Sequence, residues 1–187
     1  MKIVVAITGA SGAILGIRLL ETLREKDVES HLVISRMAEK TIKAELGIDL
    51  DQVKLMATHY YEPEGIDARI SSGSFKHDGM AIIPCSMKTV AAIANGYTSE
   101  LISRASDVTL KEKRRLVIVP RETPLNIIHL RNMLRLAEAG AVILPPMPAF
   151  YTKPRNVDDI ISYIVGKVLD ILNIPHNLFV RWDNEDK

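Results

Sequence analysis

Short, uniformly apolar runs recur along this chain, and each is followed by a segment with helical periodicity. No other feature narrows the fold as much. Residues 2–8, 28–35, 79–84, 115–120 and 141–144 have the length and the Val/Ile content of strands. A strand that is wet on one face alternates apolar with polar side chains. These runs do not alternate, so both faces of their sheet must be covered. Between them, 11–26, 36–46, 86–94, 98–113, 126–139 and 157–173 read as helices, with Asn156 placed to cap the last. Strands alternating with helices predict one α/β domain, a doubly wound parallel sheet in three layers of the Rossmann or flavodoxin-like kind, with right-handed crossovers. Residues 47–78 follow neither period, with a polar SSGS at 71–74, and the tail from about 175 to 187 is polar.

Bulk properties exclude several classes of partner. A chain of 187 residues suits one domain. The formal net charge of +1 supplies no long-range pull toward nucleic acid or a membrane surface. No apolar stretch approaches the roughly 20 residues of a membrane span. The opening MKIVVAITGASG passes directly into a strand and a turn, unlike a signal peptide. Cys85 is the lone cysteine, so no intramolecular disulfide can form, and a cytoplasmic setting is expected. The apolar fraction of 47% fits either a well-filled core or buried subunit interfaces.

In open α/β sheets, ligands lie beyond the carboxyl ends of the strands. Those ends carry unusual punctuation here: Gly9-Ala10-Ser11-Gly12, Ser35-Arg36, Cys85-Ser86-Met87-Lys88-Thr89, Arg121-Glu122-Thr123-Pro124 and Pro145-Pro146-Met147-Pro148. Glycines at 9, 12 and 16 let a backbone approach a phosphate at a helix N-terminus, although the spacing is not the strict dinucleotide fingerprint. A nicotinamide enzyme carries an acid after its second strand, whereas this chain has Ser35-Arg36. Ser86, Lys88 and Thr89 open a helix and offer a second anion cradle. No Cys/His group has zinc spacing, and Asp158-Asp159 reads as a first-turn pair favoured by the helix dipole, so no metal is expected.

TGASGAILG, SSGSF, PCSMKT, RASDVTLKEKRRLVIVPRETPL, GAVILPPMPAFY and a C-terminal RW occur in the order of the UbiX-type flavin prenyltransferases, and the chain resembles that family over nearly its whole length. The resemblance implies a homo-oligomer, usually a dodecamer, that binds reduced FMN and dimethylallyl monophosphate. The product, prenylated FMN, serves a separate decarboxylase of aromatic or unsaturated acids, commonly in quinone biosynthesis. It further implies that Gly9, Ala10, Ser11, Ser35, Ser86, Met87, Lys88, Thr89 and Arg121 contact FMN. Arg104, Lys111, Tyr151 and Lys167 would surround the prenyl phosphate, with Trp182 walling the prenyl group. Ser11, Glu45 and Glu122 would lie near the reacting atoms. At Lys167 several relatives carry arginine, so the bidentate fork is replaced here by a point charge.

The implied chemistry suits these residue types. N5 of reduced FMN attacks an allylic carbon as phosphate leaves, and C6 then bonds to the tertiary prenyl carbon. A departing dianion calls for clustered cations. Losing the C6 proton calls for a base, and Glu122 fits, with Ser11 as relay. Three rival readings remain at this level: a decarboxylase acting directly on its substrate, a flavin carrier without chemistry, and a nicotinamide reductase. The second set of cations weighs against a carrier, because FMN has only one phosphate to neutralise.

Overall fold

The computed structural model describes residues 1–182. In chain order the elements are β1 (Lys2–Ile7), α1 (Ala13–Glu25), β2 (Glu29–Ile34), α2 (Arg36–Leu46), α3 (Leu50–Lys54), β3 (His59–Tyr61), β4 (Gly79–Cys85), α4 (Met87–Ala94), α5 (Leu101–Lys111), β5 (Arg115–Pro120), α6 (Ile127–Glu138), β6 (Val142–Ile143) and α7 (Val157–Leu172). Short 3₁₀ turns sit at Arg69–Ser71 and Phe150–Thr152. The six strands form one sheet in the order β3-β2-β1-β4-β5-β6, and every pairing is parallel.

The uniformly apolar strands are buried on both faces, as their sequence requires. Ile3, Val5 and Ile7 of β1 pack toward Leu19, Leu20 and Leu23 of α1 and Val165, Val168 and Leu169 of α7. Val4 and Ala6 point the other way, into a cluster with Val90 of α4, Leu101, Ile102 and Ala105 of α5, and Leu136 of α6. Gly16 allows α1 to lie directly on the sheet, since a Cβ there would come within 2.5 Å of the Ile83 carbonyl oxygen. By contrast α6 is only half covered: Ile127, Ile128, Leu130 and Leu134 are all exposed. No helix among the described residues is long and apolar enough to cross a membrane.

The structure corrects the sequence reading in three places. Residues 47–78 hold a short helix and an edge strand. The strand is three residues long, His-Tyr-Tyr, too short and too polar to show a period. Helix α1 begins at Ala13, two residues later than expected, because Gly12 takes a left-handed φ of 97°. The helix expected over 98–113 is confined to Leu101–Lys111.

Candidate functional site

Strand order places the site. β1 and β4 are neighbours, and from them the sheet grows outward in both directions, so the connections after β1 and β4 leave to opposite faces. That switch point opens a crevice at the carboxyl edge. Thr8, which the sequence reading passed over, fixes the crevice walls. Its hydroxyl donates to the Pro84 carbonyl at 2.9 Å and accepts from the Ser86 amide at 2.7 Å. Thr8 is buried and ties the turn after β1 to the start of α4.

The glycine turn does not present a free anion seat. Glu45, near the end of α2, projects its carboxylate onto the N-terminus of α1. The Gly12 amide donates to it at 3.0 and 3.2 Å and the Ala13 amide at 3.0 Å. Burial alone would raise the Glu45 pKa, but the Ser11 hydroxyl, the two amides and the charge of Arg121 together hold it below its ordinary value. Ser11, Glu45 and Arg121 therefore form one connected group, with Glu45 ionised. A pyrophosphate resting on α1 would have to displace this carboxylate, which further weakens a dinucleotide reading.

Helix α4 is different. Its first turn contains no acidic residue. The Met87 and Lys88 amides precede the first intrahelical bond and are geometrically free to meet an anion. Ser86 caps the helix, accepting from the Thr89 amide at 3.4 Å, and its hydroxyl lies 3.1 Å from that of Thr89. Lys88 leans outward to Glu100 at 2.8 Å. A cavity of about 220 Å³ lies beside it, lined by Thr89, Tyr97, Ser99 and Ser103 among others. Ser35 plays the corresponding capping role for α2, accepting from the Ala38 amide at 3.3 Å. Arg121 follows β5, its amide bonded to the Cys85 carbonyl at 3.0 Å. Glu122 is exposed beside it and accepts from the Thr123 amide at 3.0 Å. Cys85 itself is fully buried, which pushes its thiol pKa far up and leaves it unsuited to be a nucleophile.

The residues expected around the prenyl phosphate are not assembled within one chain. Arg104 and Lys111 lie on α5, paired with Asp107 and Glu112. Tyr151 and Lys167 lie with α7, on the opposite face of the sheet. The described part of the tail runs back along α7. Asp170 clasps it, accepting from Arg181 at 2.7 Å and contacting His176 at 3.0 Å. Lys167 reaches the same carboxylate at 3.6 Å. The Phe179 ring lies where a Cβ on Gly166 would be. Trp182 meets Tyr151 edge-on at 5.3 Å between ring centroids. Arg181 is thus a second cation beside Lys167 that the sequence reading missed, although it stands in the RW pair it quoted. Residues 183–187 of the expected tail contact lie outside the described residues.

Comparison with known proteins gives a consistent result. The Flavoprotein family profile matches residues 1–169. A flavin prenyltransferase UbiX from Methanocaldococcus jannaschii is 55% identical over 182 residues, covering 97% of this chain and 98% of that one. A flavin prenyltransferase UbiX from Thauera aromatica is 49% identical over 187 residues, covering 100% and 96%. Among solved structures, AnUbiX (PadA1) in complex with FMN and dimethylallyl pyrophosphate superposes with a TM-score of 0.97 at 51% identity, covering 99% of this chain and 98% of that one. A dodecameric FMN-dependent UbiX-like decarboxylase from Escherichia coli gives 0.96 at 50% identity, covering 98% and 100%. The peptidyl-cysteine decarboxylase EpiD, at 19% identity and a TM-score of 0.65, shares the fold alone.

Proposed function

The chain belongs to the UbiX-type flavin prenyltransferases of the Flavoprotein family, and from that premise we propose that it transfers a dimethylallyl group from dimethylallyl monophosphate to N5 and C6 of reduced FMN. N5 bonds to the allylic carbon and loses its proton as the carbon–oxygen bond breaks and phosphate leaves; the prenyl double bond then takes up a proton at C2, C6 bonds to the tertiary carbon so formed, and the C6 proton is released. What carries the reading is full-length likeness to a protein crystallised with both FMN and a dimethylallyl donor.

The chain's own residues fit the flavin mononucleotide. Of the helices that open at the crevice, α1 is capped by Glu45 and α2 carries Glu39 in its first turn, while α4 has no acid there. α6 also lacks an acid in its first turn, but α4 is the helix that opens at the β1/β4 switch point, so its N-terminus is the one taken for the phosphate, and Ser35, Ser86 and Thr89 add hydroxyls. Gly9, Ala10, Ser11, Met87, Lys88 and Arg121 complete the cradle. Bound there, reduced FMN supplies the nucleophilic N5 and C6. Glu122 holds and moves the proton, from C6 or to the leaving phosphate, with Ser11 as relay. Glu45, kept ionised, fixes the Ser11 hydroxyl rather than acting as an acid.

Arg104, Lys111, Tyr151 and Lys167 stabilise the departing phosphate, and Trp182 walls the prenyl group. Because α5 and α7 cover opposite faces of the sheet, these groups meet only between copies of the chain. The exposed apolar side of α6 suits such an assembly, and a dodecamer is the expected form. Clustered cations do the work a magnesium ion performs for diphosphate donors, so the transfer is metal-independent. The product serves a separate decarboxylase, and the enzyme works in the cytoplasm.

The decisive experiment is anaerobic incubation of chelator-treated protein with reduced FMN and dimethylallyl monophosphate, followed by mass spectrometry of the extracted flavin. The expected result is a gain of one dimethylallyl unit. A flavin of unchanged mass would overturn the reading.

A further inference from the structure

At the amino edge of the sheet, far from the crevice, strand pairing creates a cluster that the spacing of residues conceals. His31 of β2 and His59 of β3 are register partners in a parallel ladder, so their side chains leave the same face. Glu29, two residues before His31, shares that face. One Glu29 carboxylate oxygen lies 3.1 Å from His31 Nε2 and 3.3 Å from His59 Nε2. The three candidate ligand atoms all fall within 4.8 Å of one another. A tetrahedral zinc ion, with bonds of about 2.0–2.2 Å, sets its ligand atoms roughly 3.3–3.5 Å apart, close to the Glu29–histidine separations; because the ion lies in the plane of each imidazole, the half-buried His59 ring has to turn out of its 20° stack on His31 to ligate.

The surroundings already hold the His31 ring. His31 Nδ1 is 2.9 Å from the Tyr61 hydroxyl, which Arg69 in turn holds at 2.7 Å. That is the outer hydrogen bond that fixes the ring of a metal-bound histidine. The His31 ring is fully buried, stacked on His59 at 4.7 Å and met edge-on by Phe75 at 5.0 Å. Burial, helped by His59 and Arg69 and opposed by Glu29, pushes the His31 pKa down to about 4, so its ring is neutral at ordinary pH. Glu29 and His59 are half-buried, and Glu29 also lines an open cleft of about 460 Å³ with Arg24, Ser30 and Thr58. Neither histidine lines that cleft, so of the three groups only the carboxylate opens onto it. Among the described residues Lys2, 3.3 Å from the other Glu29 oxygen, is the close competitor for that carboxylate.

We propose that Glu29, His31 and His59 form a binding site for a zinc-class divalent cation, which pins the edge strand β3 to β2. Two imidazoles and one carboxylate favour Zn(II), Co(II) or Ni(II) over the oxygen-seeking Mg(II) and Ca(II). The bound ion is structural. A three-residue edge strand has few ladder bonds of its own, and a cross-strand tie supplies what they lack. The site lies at the opposite edge of the sheet from Ser11, Glu45 and Arg121 and takes no part in the transfer.

The test uses the full chain, stripped with chelator and titrated with Co(II) by visible absorption and with Zn(II) by calorimetry. Wild type should bind one equivalent per chain and unfold at a higher temperature with Zn(II) present. His59→Ala and Glu29→Gln should lose that equivalent, whereas His129→Ala, on the far helix α6, should keep it. Tyr61→Phe should bind on the order of tenfold more weakly. Circular dichroism and FMN binding check that each variant is folded. Absence of saturable binding in wild type, or an undiminished equivalent in folded His59→Ala, would overturn the proposal.

Discussion

Glu122→Gln should bind FMN with unchanged affinity while turnover falls roughly 10²–10⁴-fold, the usual range for loss of a positioned acid or base. The substitution keeps the shape of the side chain and its acceptor oxygen, so the contact with the Thr123 amide can persist. What disappears is the ability to take up and release a proton. Glu122 is exposed on the loop after β5 and packs into no core, so little stability depends on it. Flavin fluorescence titration gives the affinity, and anaerobic single-turnover rates give the chemistry. A wild-type rate from the variant would remove Glu122 from the mechanism. Weakened FMN binding with an unchanged rate would make it a binding residue instead.

Glu45→Ala should destabilise the fold and open an anion seat that wild type does not have. The substitution removes the acceptor for the Gly12 and Ala13 amides and the partner of the Ser11 hydroxyl. Losing a helix N-terminal acceptor together with its charge costs about 1–2 kcal/mol. For a chain of this length that lowers Tm by roughly 2–8 °C. Inorganic phosphate should then raise the Tm of Glu45→Ala more than that of wild type, because the exposed amides can take an anion. The pH dependence has a defined sign. The Glu45 pKa lies below its ordinary value of 4.5 in the folded protein. Its stabilisation is therefore complete above that value and is lost as pH falls through the folded value. Glu45→Gln should lack this acid-side loss. Equal Tm values for wild type and Glu45→Ala, with no added response to phosphate, would show that the carboxylate does not hold the helix.

Five of the six strands were legible because their signal is local, and even β6, paired over two residues, lies in the apolar run 141–144. Val4, Val5, Ala6 and Ile7 are adjacent, all apolar and all buried, as a two-face-covered strand demands. The capping residue Asn156 could also be placed, since a cap acts on amides two or three residues ahead, whereas the caps Ser35 and Asn126 were read only as a strand end and a first helical residue. β3, His-Tyr-Tyr, was hidden because its half-buried position at the edge needs no apolar run to mark it. By its place in α2, Glu45 is one more charge among Glu39, Lys40 and Lys43, and only the resemblance set it near Ser11. Nothing within α2 shows that its carboxylate reaches the turn after β1. Thr8 looked like the last residue of a strand, yet its hydroxyl joins two strand ends 76 residues apart.

By itself the sequence determined the layered α/β fold and, through the order of its motifs, the family, and it pointed to the carboxyl edge as the place for a ligand. Each depends on residues close together in the chain or on a string of short patterns. Tertiary structure alone decided three other things. It put Glu45 in the anion position of α1, across 33 residues of chain. It set Arg104 and Lys111 on one face of the sheet and Tyr151 and Lys167 on the other. It brought His31 and His59 side by side at the far edge. The physical reason is common to all three. Contacts between distant residues are fixed by which strands neighbour each other and which face each crossover covers, and local spacing carries neither.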